Sequence, residues 1–124
     1  MGKLVDNTVL DGALNVIKSN AILIVVCSDT PTTYANATAT YDLADGVVDT
    51  DDFTIADDSA SPYGRKVTVG QQAALTVNHS GDATHVALCS ADTLLYVTTC
   101  TSQALVAANT VTIPAWKIQI GDPT

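Results

Sequence analysis

Positive charge is scarce in this chain: five Lys and Arg stand against thirteen acidic residues in 124, a formal net charge of −8 with a pI ≈ 4.1. The five cations, Lys3, Lys18, Arg65, Lys66 and Lys117, are scattered apart from one adjacent pair. The basic stripe that releases counterions from phosphate is missing, so no nucleic-acid partner is expected. Long apolar runs are missing too. The longest, Ala21–Cys27, falls far short of the ~20 residues that span a bilayer. It follows an acidic, helix-like segment instead of a basic leader, so neither a membrane span nor a signal peptide is read there. The three cysteines include no CxxC pair, which gives neither a disulfide framework nor a zinc site; buried thiols and folding in a reducing cytoplasm are expected. Charged residues of both signs make up only 15%, against roughly 25% in ordinary soluble domains. With 47% hydrophobic residues and a mean hydropathy of +0.25, the chain suits a surface covered by copies of itself, as a dimer or trimer, or by a partner.

What is present is mostly strand-like. From Ala83 to Ile120 the segments ATHVALCS, TLLYVTTC, ALVAA, NTVTIP and AWKIQI are rich in β-branched residues and bounded by turn formers. Val111 and Ile113 share one parity while Trp116, Ile118 and Ile120 share the other, so a bulge or strand break belongs at Pro114-Ala115. Trp116 is expected to be substantially buried, on the strand face it shares with Ile118 and Ile120. Upstream, Val67 and Val69 alternate within Arg65–Val69, and Ala73, Leu75 and Val77 alternate within Gln71–Asn78. The main sheet strands are therefore placed at 65–120, after a turn at Ser61–Gly64.

The amino-terminal third differs. Leu10, Ala13, Leu14 and Ile17 recur at helical spacing, which predicts a helix over 8–19. Thr8 with Asp11 resembles a capping box, Lys18 suits the last turn and Asn20 a left-handed cap. Gly12 weakens the helix interior by roughly 1 kcal/mol unless something packs against it. Ala21–Cys27 does not alternate and reads as a central strand covered on both faces. Residues 29–58 are expected to be a long loop or arm, with at most one short strand among the seven aspartates from Asp42 to Asp58.

No catalytic, cofactor or metal residues are assigned, although several groupings carry a possible chemistry. Asp49, Asp51 and Asp52 could offer oxygens to Ca²⁺, yet the glycine and distal glutamate of an EF-hand loop are missing, and a solvated acidic loop is the plainer reading. His79 and His85 lie near Ser80, Asp82 and Ser90, but without a Gly-x-Ser-x-Gly elbow these residues read as turn formers, and an enzyme is not expected. Asn36-Ala-Thr38 and Asn78-His-Ser80 match glycosylation acceptors, a pattern common by chance. Arg65-Lys66 reads either as a guard of an edge strand or as a contact to an acidic surface, such as the Asp-rich loop of a neighbouring copy. Tyr34, Tyr41, Phe53, Tyr63, Tyr96 and Trp116 form no regular stacking platform for oligonucleotides.

The order of segments resembles a family of small virion proteins of tailed double-stranded DNA bacteriophages. The resemblance is carried by Leu10-Asp-Gly-Ala-Leu14, Cys27-Ser-Asp-Thr-Pro-Thr-Thr-Tyr34 and Gly64-Arg-Lys-Val67. It continues through Gly81-Asp-Ala-Thr-His-Val-Ala-Leu88, Leu94-Leu95, Asn109-Thr-Val-Thr-Ile113 and Ile118-Gln-Ile-Gly-Asp-Pro123. These are turn and strand patterns spread over nearly the whole chain, and they bring no catalytic residues with them. The resemblance implies a capsid decoration, or cement, protein that is made in the host bacterial cytoplasm and binds the major capsid protein on the virion exterior. A neck or tail structural protein is the alternative. The expected fold is all-β: one β-sandwich domain over 1–124, jelly-roll-like, with one short amino-terminal α-helix.

Overall fold

The computed structural model describes residues 4–59 and 63–121. The turn read at Ser61–Gly64 lies partly outside these residues, and Asp122-Pro123 wholly outside. The fold is the expected all-β, sandwich-like domain with one amino-terminal helix. Among the described residues, α1 (Asn7–Asn20) leads into β1 (Leu23–Cys27), β2 (Asp42–Val47), β3 (Phe53–Asp57), β4 (Arg65–Val69) and β5 (Gln72–Thr76). These are followed by β6 (Gly81–Cys89), β7 (Leu94–Leu105), β8 (Thr110–Ile113) and β9 (Trp116–Ile120). One sheet has the order β2-β1-β6-β7, a second β3-β4-β9, and β5 pairs with β8, all antiparallel.

β1 is the central strand that its unbroken apolar run implies. Ile24 and Val26 enter the main core, together with Leu14, Phe53, Val67, Val69, Leu88 and Ile118. Val25 and Cys27 point the other way, into a smaller cluster with Ala37, Ala87 and Cys89. Four consecutive residues of β1, Ile24 to Cys27, are no more than 3% exposed. Alternation cannot appear in a strand that has two dry faces.

The second cluster exists because residues 29–41 fold back over the sheet, so they are not an arm. Tyr34 and Tyr41 pack against the cluster, and a wide turn at Asn36–Thr40 puts Ala37 fully inside it. The Tyr41 N–H reaches five residues back to the Asn36 carbonyl at 2.8 Å. Side chains brace the turn: the Thr32 hydroxyl donates to Asn36 Oδ1, and the Asn36 N–H donates to Thr33 Oγ1, both at 3.0 Å. The acidic stretch likewise holds two strands, β2 and β3, where at most one was expected. Glycine and aspartate hide β2 from any propensity argument. Tertiary pairing with β1 overrides that local weakness, a common outcome for strands.

The helix is one residue longer at each end than its periodicity implies, and its caps differ. Asp6, not Thr8, is the N-cap: its carboxylate accepts from the Thr8 N–H at 2.9 Å. At the other end Ala21 is extended, and the Asn20 side chain donates to the Val16 carbonyl at 2.7 Å in place of a left-handed cap. Leu10 and Leu14 are buried, but Ala13 is exposed, so the inward stripe is narrower than the sequence suggests. An added Cβ at Gly12 would meet nothing within 4 Å, so no close packing offsets the weakness of that glycine.

Two other expectations change in the sheets. The segment read as TLLYVTTC runs on into Ala104-Leu105 as one strand, β7, whose pairing with β6 slips between Thr99 and Gln103, while the rest of ALVAA turns toward β8. In β5 the alternation fails: Ala74 takes a φ of 55° at a register shift, and Ala73 is exposed. The break at Pro114-Ala115 is present, and there the chain leaves the β5–β8 pair for the β3-β4-β9 sheet. Trp116 packs, partly buried, against the main core and stacks on Tyr96 with ring centroids 5.9 Å apart. The β5–β8 pair is pressed onto the larger sheet at Gly46, where an ideal Cβ would stand 2.6 Å from Leu75 Cδ2. A side chain at that position would have to push the Leu75 methyl aside.

Phe53 is the largest fully buried side chain, at 2% exposure, and it opens β3 inside the main core. Phe53→Ala should cost about 3–5 kcal/mol in chemical denaturation. A loss below about 1 kcal/mol would show that β3 is not packed as described.

Candidate functional site

The acidic stretch is structural in detail. Asp49 caps a short 3₁₀ turn at Thr50–Asp52: its carboxylate accepts from the Asp51 N–H, and the Asp52 carboxylate accepts from the Asp49 N–H, each at 2.9 Å. Gln72 also donates to Asp52 Oδ1 at 3.2 Å. Acid oxygens spent on backbone donors do not converge on a point. Among the described residues no three His, Cys or Asp side chains are close enough to hold a metal ion. Asp58, nearly inaccessible, accepts from Lys117 Nζ at 2.7 Å and so ties the end of β3 to β9.

Arg65 does meet acid from the Asp-rich segment, but within its own chain. Its Nε donates to Asp11 Oδ1 at 2.7 Å, Nη2 to Asp11 Oδ2 at 3.2 Å, and Nη1 to Asp57 Oδ1 at 2.7 Å. The guanidinium therefore clamps α1 and β3 onto β4, and both carboxylates hold its charge more firmly than usual. β4 is the middle strand of its sheet, so the guard role at an edge does not apply. Asp11, expected in a helix cap, serves this clamp instead.

The histidines do not join the serines and aspartates near them in sequence. His79 Nδ1 lies 3.0 Å from the Asp42 carbonyl oxygen. His85 Nε2 lies 3.0 Å from Thr30 Oγ1, and its Nδ1 lies 2.8 Å from Thr84 Oγ1, pinning the covering loop to β6. The Ser80 hydroxyl accepts from the Ala107 N–H at 2.9 Å, while Ser90 braces its own turn by accepting from the Thr93 N–H at 3.0 Å. Asp82 is exposed on β6. The thiols are poor nucleophiles as well. Burial, followed by the charge of Asp42, pushes Cys27 up to about 12, and burial raises Cys89 and Cys100. Of the acceptor motifs, Asn36 is spent on its own turn and Asn78 is exposed next to Val77.

Two adjoining hollows, of about 260 and 390 Å³, lie between β7 and the β8–β9 corner and share Val86, Cys100, Ile113 and Pro114. Their surface is mainly apolar and open, with Thr101, also shared, and Thr98, Thr99, Gln103, Thr112 and Lys117 around it. Five of the six aromatics are dispersed through the two clusters, and Tyr63 is exposed just before β4. No helix among the described residues is long and apolar enough to cross a membrane. In comparisons with known proteins, no family model, no curated protein and no solved structure matches the chain.

One chemical feature escapes the period-two reading of the sequence. Leu43 is an extra residue in the β1–β2 ladder, since Cys27 pairs with Asp42 and Val26 with Ala44. The bulge brings Asp42 to the same sheet face as Asp45, three residues on, beside Val25 and Cys27. Asp42 Oδ1 is buried without a hydrogen-bond partner. Burial first, then the hydrogen bond and charge of Asp45, push Asp42 up to about 8 from 3.8. The folded chain thus holds a proton that the unfolded chain releases. This contribution to stability is complete below about pH 4 and is lost as pH rises toward about 8. Asp42→Asn should flatten the profile of Tm against pH in that window and raise Tm at pH 8. Coincident profiles for the two proteins would contradict the protonated pair.

Proposed function

We propose that this chain is a structural virion protein that binds the exterior of a bacteriophage capsid as a decoration, or cement, protein and acts without catalysis. One observation carries this reading: the side chains capable of chemistry are spent on holding the fold, while the exposed surface is rich in small, uncharged residues. Such a surface serves lateral contact. A cement gains affinity from many weak contacts repeated on a symmetric shell. The likeness of the segments to small phage virion proteins supports the same reading. A charge of −8 per copy is repelled by packaged DNA and tolerated on an outer face, which favours the exterior and the major capsid protein as partner. Association in two or three copies would cover the apolar surface that the low charge leaves.

Virions lacking the protein should assemble yet lose DNA sooner under heat, chelation or osmotic shock. Adding back the purified protein should restore resistance, and so should His85→Ala, whose imidazole only pins a loop. Stable filled heads without tails would favour a neck or tail component instead. Loss of protection by a folded His85→Ala protein would overturn the purely structural reading.

A further inference from the structure

The sheets end in edges, and these are not equally guarded. β2 is covered: Ala44 bridges to Val77, and the N–H groups of Asn78 and His79 donate to the Leu43 carbonyl at 2.7 and 3.2 Å. β3 ends in aspartate and β9 carries Lys117; each is five residues long. β5 is kinked at Ala74, and β8 has four residues. β7 is different. It is twelve residues long and pairs only with β6 on one side. Among the described residues, the backbone of Leu94–Ala104 makes no hydrogen bond outside that ladder. It contains no proline, glycine or charged residue, the usual means of blunting an edge. No Asp, Lys or Arg occurs anywhere from Thr93 to Trp116.

We propose that the free edge of β7 is the docking edge for a second copy of this chain, the two β7 strands pairing antiparallel about a twofold axis. Charge selects the occupant. Two copies of charge −8 repel over most of their surfaces, and this neutral strip is where their backbones can meet without opposing carboxylates. Geometry closes the assembly. The pairing with β6 slips on both sides of Tyr96–Thr99, so these four residues form the stretch of continuous register, centred for a self-complementary contact. The joined sheet would run β2-β1-β6-β7 and on through the partner's strands in reverse. Its two outer edges would both be the covered β2, so the sheet stops at two copies and does not grow into a fibre.

This deepens the self-association in the function proposed above, and its test needs no capsid. Sedimentation of the purified full chain across micromolar concentrations should show a monomer–dimer equilibrium. Thr99→Lys, at an exposed position of the edge, should raise the dimer dissociation constant about tenfold or more, a difference of about 1.4 kcal/mol per decade. Val16→Lys, on the exposed helix face, should leave it unchanged. Each variant changes the net charge equally, from −8 to −7, so general repulsion cannot explain a difference between them. Hydrogen exchange of the unmodified chain supplies a readout independent of folding defects: the amides of Tyr96–Thr99 that face away from β6 should slow as concentration rises. A monomer at all concentrations, a trimer, a dimer indifferent to Thr99→Lys, or protection elsewhere than β7 would each overturn the proposal. Failure here leaves the virion protection experiment standing, and loss of virion protection with an intact β7 dimer would overturn the capsid role alone.

Discussion

Burial of β1 on both faces is the constraint on which the rest of the structure depends. A strand with two apolar faces needs two covers and two ladder partners, because every backbone group it takes out of water must be paired. β2 and β6 supply the ladders, while the helix and the smaller sheets cover one face. The other face has no sheet to rest on. Residues 33–41 fill that need with a short coil of small residues, a layer thin enough that Ala37 reaches Cys27 and Val25. Local polar contacts from Thr32, Thr33 and Asn36 offset the poor intrinsic stability of such a wide turn.

The ionic contacts serve the same architecture. Of the few cations, two are placed where an element would otherwise be attached by packing alone. Arg65 joins helix to sheet, and Lys117 joins β9 to the buried Asp58. The fork geometry at Asp11 suits arginine and not lysine. Acid in excess of these partners is absorbed by backbone N–H groups, as at Asp49 and Asp52, or kept protonated, as at Asp42. Negative charge left on the surface then acts between molecules more than within one.

The central strand, the helix and the sheet change at Pro114 were legible because each writes its environment into a run of residues: seven apolar positions, a 3.6-residue stripe, and a switch of parity. β2 and the folded-back loop were not, because their residues are small or acidic and their conformation is set by β1 across the sheet. The helix cap was missed by two positions, since Asp6 and Thr8 are both good cap residues and only geometry separates them. At the candidate sites, spacing could not show that Asp57 and Asp11 meet on Arg65 from opposite ends of a long separation. The uncharged stretch after Asp92 was visible in the letters; its position on an open edge was not.

The pairing of β1 with β6 sets the tempo of folding. Leu23 faces Cys89 and Cys27 faces His85, so the most apolar segment in the chain closes its second ladder only after most of the intervening sequence exists. During synthesis at about 5–20 residues per second, that segment waits for several seconds with one side unpaired. β2 lies much nearer in sequence, so its ladder with β1 closes over a shorter loop. The order in which the two ladders of β1 can close is thus written in the separations of their strands, a sequence in time that the finished fold no longer displays.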